Sequence, residues 1–106
     1  MAWFYLLIAG TLEVVATTVF RYTEGLSRIV PTVSFFVIGI ASFYFLNRSL
    51  AGIPLGTAYA VWTGIGAAGT ALLGVLLYSE DAAPGRVALL AALIACIVGL
   101  KYVSAH

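Results

Sequence analysis

Four apolar stretches, each long enough to cross a bilayer, occupy most of this chain and decide what it can become. They run from about Trp3 to Phe20, Ile29 to Leu46, Leu55 to Tyr78 and Val87 to Val103. The joints between them are short and polar. The first is Arg21-Tyr22-Thr23-Glu24-Gly25-Leu26-Ser27-Arg28; the second extends from Asn47 and Arg48 to Gly52 and Pro54; the third holds Glu80, Asp81, Pro84, Gly85 and Arg86. A spanning helix takes about 20 mainly apolar residues, so 106 residues accommodate at most four spans. In lipid each segment must satisfy its own backbone, which leaves helices or closed barrels. Barrel strands would alternate in polarity, and these stretches do not. The expectation is an all-α membrane protein whose residues 1–106 form a single four-helix transmembrane domain.

Composition excludes the alternatives. Hydrophobic residues make up 63% of the chain and charged residues 8%, whereas a soluble domain carries roughly 25% charged residues to face water. The first stretch has no basic leading region, contains Glu13 and is followed by charges rather than a cleavage site, so it reads as a retained span and not a signal peptide. A net charge of +1 predicts no nucleic-acid partner. The single Cys96 excludes an internal disulfide and a multi-cysteine metal site. No phosphate loop, nucleophile–base pair or metal-ligand cluster is present, and terminal His106 is a poor ligand candidate. The chain therefore reads as neither an enzyme nor a cofactor carrier.

Charge leaves orientation open. Arg48, Lys101 and the terminal amine fall on one side of the membrane, and Arg21, Arg28 and Arg86 on the other. Two against three is no usable excess for the positive-inside rule. Either subtler cues orient the chain, or it inserts both ways and pairs antiparallel. Transport sites commonly lie between repeats near the midplane. No internal repeat is evident here, so an oligomer would have to supply the second half.

Glu13 is the residue most in need of a role. It lies ten residues beyond Trp3, roughly 15 Å at 1.5 Å per residue, close to the bilayer centre. Intramembrane acids usually face a bundle interior or a wet cavity. Desolvation favours the neutral form of a carboxylate, so such a group can hold a proton or a cation but not comfortably both. The bland alternative is a protonated acid that glues helices together. Helical spacing sets Leu6, Ala9, Gly10, Ala16 and Thr17 beside it, small residues that suit either a ligand pocket or close helix packing.

The third span adds Tyr59, Trp62, Thr63 and Gly66 on one face. Aromatic rings attract cations, although the same rings at a span end can form an interfacial belt. Gly64, Gly66, Gly69 and Gly74 make this helix bendable and closely packable. Ser42 in the second span has two readings: a bond to Glu13, or a bond to its own helix's carbonyl. Cys96 reads as packing, and Arg21 and Lys101 as snorkelling residues near helix ends.

These residues resemble the small multidrug resistance family over essentially the full length. The matching stretches are Glu13-Val14-Val15-Ala16-Thr17-Thr18, Glu24-Gly25-Leu26-Ser27-Arg28 with Pro31, and Ile53-Pro54-Leu55-Gly56-Thr57-Ala58-Tyr59-Ala60-Val61-Trp62-Thr63-Gly64-Ile65-Gly66. The resemblance implies antiparallel dimers in the bacterial inner membrane, with two glutamates lining a shared cavity. Protons, the coupling ion, and small cationic substrates would bind there alternately, and proton influx would drive export. It carries Glu13 over as the essential glutamate, Tyr59 and Trp62 as the aromatic site residues and Ser42 as the serine near the glutamate; helical spacing, not the resemblance, adds Ala9, Gly10, Ala16, Thr17 and Gly66 as pocket-lining candidates.

Subtype is mixed. Trp62-Thr63-Gly64-Ile65-Gly66-Ala67-Ala68-Gly69 and Gly99-Leu100-Lys101 look like the guanidinium-exporter branch. That branch usually has a tryptophan where this chain has Ala16, and Ala16-Thr17-Thr18 looks more like the branch exporting quaternary ammonium compounds. Losing the indole should widen the pocket. The expectation is an exporter of quaternary ammonium or guanidinium compounds, with a selective guanidinium exporter or an accessory subunit as alternatives. The family's fourth helix usually carries a glycine pair at the dimer contact; Leu89 and Cys96 stand there, which suits one partner of a heterodimer, whereas the balanced charges favour a homodimer.

Overall fold

The structure, a computed structural model, describes residues 1–80 and 83–103; Asp81 of the third joint and the terminal His106 lie outside that range. Helix α1 spans Ala2–Phe20, α2 Ile29–Ser49, α3 Leu55–Tyr78 and α4 Pro84–Val103. All four are long and apolar enough to cross a membrane. Two boundaries move for stated reasons. α2 runs on through Asn47 and Arg48, because near a membrane surface polar residues need not end a helix. α4 begins at Pro84, three residues before the boundary expected from sequence. Proline is well placed at a first helical position, where its missing N–H has no partner to lose. Gly85 and Arg86 thus belong to the helix and not to the joint.

The first joint is built around Thr23, which is fully buried. A short 3-10 turn over Arg21–Thr23 follows α1. Ser27 and Arg28 then donate their N–H groups to the Thr23 carbonyl at 2.9 and 3.0 Å. Leu26 donates to Thr23 Oγ1 at 3.3 Å, and that hydroxyl donates to the Phe20 carbonyl at 2.8 Å. These bonds hold Glu24 and Leu26 at φ 48° and 68°, a region that non-glycine residues adopt only under constraint.

Packing places α1 between α2 and α3, while among the described residues the backbone of α4 comes close to that of α3 and of no other helix. The assembly measures 44 × 35 × 17 Å. It is a flattened arrangement whose buried core, around Leu6, Ala9, Ala58 and Val61, lies where α1, α2 and α3 meet. Close approach along α1 and α3 relies on small residues. A Cβ added at Gly10 would stand 2.7 Å from Ile65, and one at Gly69 would stand 2.5 Å from Val14. Apolar side chains crowd the outer faces, among them Ile29, Val30, Ile40, Leu76 and Leu89, where lipid rather than water satisfies them. No described residue of α4 is buried.

Candidate functional site

A cleft of about 490 Å³ opens between α1 and α3, with Glu13 and Thr17 on one wall and Tyr59, Trp62, Thr63 and Gly66 on the other. Gly66 is what brings the walls together at the acid. A Cβ there would lie 2.8 Å from Glu13 Cγ, so the carboxylate's stem rests directly on the α3 backbone. Among the described residues no side chain hydrogen-bonds or ion-pairs with the Glu13 carboxylate. It is left available to a ligand from the cleft. Further along, Thr17 Oγ1 and Thr70 Oγ1 share a hydrogen bond at 2.6 Å, continuing the polar lining one turn beyond the acid.

Trp62 is held from behind. Its Nε1–H donates to Ser42 Oγ at 2.9 Å, and the Ser42 hydroxyl in turn donates to the Ala9 carbonyl of α1 at 2.7 Å. Ser42 is fully buried and Trp62 only 7% exposed. Neither sequence reading of Ser42 holds: its partners are an indole on α3 and a carbonyl on α1, not Glu13 and not its own helix. Trp62 is correspondingly no belt residue. Its ring lies 5.1 Å from Phe43 and 5.7 Å from the ring of Tyr59, and Tyr59 is exposed along the cleft. Removing the serine hydroxyl would strand a buried N–H, which costs about 1–3 kcal/mol. In a background with Trp3→Phe, Ser42→Ala is therefore expected to lower thermal stability and shift the emission of Trp62. Unchanged emission and melting would show that the bond positions nothing.

The pocket's membership differs from what the sequence suggests. Ala9, Gly10 and Ala16 do not line the cleft. Ala9 and Ala16 are fully buried, and Gly10 is packed against Ile65. The reason is angular. At 3.6 residues per turn, positions three and four beyond Glu13 fall on opposite sides of it, so Thr17 turns toward the cleft and Ala16 into the packing. A widening of this chain's pocket by Ala16 therefore has no support. Conversely, Ala67, Thr70, Ala71 and Arg86 line the cleft and were missed. The first three extend the Tyr59–Gly66 stripe by one turn at the same spacing and were legible; Arg86 was hidden by its assignment to a joint.

Four helices long and apolar enough to cross a membrane, with a carboxylate midway along the first and an aromatic, hydroxyl-lined cleft beside it, define a multi-pass transporter, since acids at this depth mark substrate and ion pathways. Comparison with known proteins narrows the class. The family described as Small Multidrug Resistance protein matches residues 1–94. The chain is 46% identical to a protein named guanidinium exporter from Salmonella typhimurium strain LT2 over 106 residues, covering all of both chains. It is likewise 46% identical over 104 residues to one from Yersinia pseudotuberculosis serotype I, covering 98% of this chain and 100% of the relative. A further one from Citrobacter freundii is 46% identical over 101 residues, covering 95% and 96%. The chain belongs to the small multidrug resistance family. It is a multi-pass transporter of the inner membrane and not an enzyme.

Proposed function

We propose that this chain is a proton-coupled exporter of small cations whose preferred substrate is guanidinium. The observation that carries the reading is the meeting of Glu13 with Tyr59, Trp62 and Thr63 in one cleft, in a chain 46% identical end to end to a protein named guanidinium exporter. A carboxylate whose oxygens meet no hydrogen-bond or ion-pair partner among the described residues matches the planar, two-pronged donor geometry of a guanidinium. An indole anchored by Ser42 offers a rigid face to stack on or attract it. A charge in a low-dielectric site must be neutralised, and Glu13 can be neutralised by a proton or by the cation. Exchange of one for the other couples the two fluxes.

The broader expectation, export of quaternary ammonium as well as guanidinium compounds, is less well supported, because the relatives of this chain are named guanidinium exporter. The flattened arrangement and the uncovered α4 leave the cleft open on one side, which favours completion by a second, antiparallel copy. Purified chain in liposomes is expected to take up guanidinium against a proton gradient, preferring it over a bulky aromatic ammonium by about tenfold or more in kcat/KM, a scale ordinary for pocket discrimination. The reverse preference would restore the broader reading. A requirement for a paralogous chain would make this one an accessory subunit.

A further inference from the structure

Past the end of α3, about two turns beyond Ala71, the last α3 residue lining the cleft, a single acid joins three helices. Glu80 Oε1 accepts from Arg86 Nη2 of α4 at 3.2 Å, and its Oε2 lies 3.8 Å from Arg21 Nη1, just past α1. Arg21 is itself stacked 3.7 Å over the Tyr78 ring. The acid is folded back on α3. Its N–H donates to the Gly74 carbonyl at 3.0 Å, and its carboxylate fills the space beside Gly74, where a Cβ would stand 2.5 Å from Oε1. Ser79 makes this return possible by taking a left-handed φ of 55°.

Of these three charges only Arg86 lines the cleft. A cation drawn to Glu13 from this end must pass a fixed positive charge. Gly66, opposite Glu13, and Gly74, beside Glu80, are eight residues apart on α3, roughly 12 Å at 1.5 Å per residue. That is close to the screening length of about 10 Å in 0.1 M salt, and narrow clefts with apolar walls focus such fields further.

We infer that Glu80 is a positioning residue for substrate entry: it holds Arg86 to the rim and offsets its charge, so that a cation can reach Glu13. This rests on the reading of the chain as an exporter of small cations. A purely structural clamp between α3 and α4 would act differently, through stability and turnover rather than through charge.

Initial rates of guanidinium transport in proteoliposomes separate the two, measured at low and high ionic strength. Glu80→Gln is expected to raise KM about tenfold at low salt with kcat little changed, and the difference should shrink at high salt. Adding Arg86→Gln to it should bring KM back toward the wild-type value. Arg86→Gln alone keeps the Glu80–Arg21 pair and should lower KM, which tests the inference even if Glu80→Gln folds poorly. Wild-type transport with an unchanged KM in Glu80→Gln, a salt-independent loss of kcat, or an unchanged or raised KM in Arg86→Gln would each overturn the inference alone. A wild-type chain that moves no guanidinium would overturn the functional reading and this inference with it.

Discussion

Glu13→Gln is expected to fold and insert as the wild type does while losing proton-driven guanidinium exchange altogether. Glutamine matches the carboxylate in shape, so the stem that rests on Gly66 keeps its contact. No hydrogen bond or ion pair from the described residues to the carboxylate is broken. What disappears is the only acid among the described residues that line the cleft. Removing one member of a desolvated ion pair costs about 3–5 kcal/mol, equivalent to roughly two to four orders of magnitude in affinity at 1.4 kcal/mol per decade. The amide also has no proton to surrender. Adding guanidinium to detergent-solubilised wild type in weakly buffered solution should therefore release protons, and Glu13→Gln should release none. Retained exchange in liposomes would remove Glu13 from the mechanism.

The fold was legible because lipid leaves a chain of this composition few choices. Span three, expected over Leu55–Tyr78, is α3 over the same residues, since polar punctuation and Pro54 frame it on both sides. Helical periodicity also identified the shared face of Tyr59, Trp62, Thr63 and Gly66, because a face depends only on spacing along one helix. It does not reveal which neighbour that face meets. Ser42 shows the limit: its bonds reach an indole on α3 and a carbonyl on α1, and those partners become visible only when three helices are placed together. The small residues of α1 show it too. Ala9, Gly10 and Ala16 serve packing equally well as pocket lining in sequence, and the rotation of α1 against α2 and α3 assigns them to packing. Arg86 was lost differently, through Pro84, which reads as a loop former in sequence and acts as a helix start in the structure.

Gly66→Ala tests whether that close approach is what makes the site work. As a helix residue, alanine is favoured over glycine by about 1 kcal/mol, so on propensity alone the variant should be more stable. At this position the added Cβ would stand 2.8 Å from Glu13 Cγ, closer than carbon atoms approach in folded proteins, and overpacking of this kind costs about 1–3 kcal/mol. Either α1 and α3 separate or Glu13 swings away from Tyr59 and Trp62; both move the carboxylate relative to the rings. Displacements of this order at a site commonly cost up to about a hundredfold in rate, so kcat/KM for guanidinium should fall by at least about tenfold. Gly56→Ala is the control, because nothing lies within 4 Å of its added Cβ, and it should gain helix stability with transport intact. If space at Glu13 is the purpose of Gly66, only Gly66→Ala will impair transport. Wild-type transport in Gly66→Ala would show that the acid is positioned by something other than its contact with the α3 backbone.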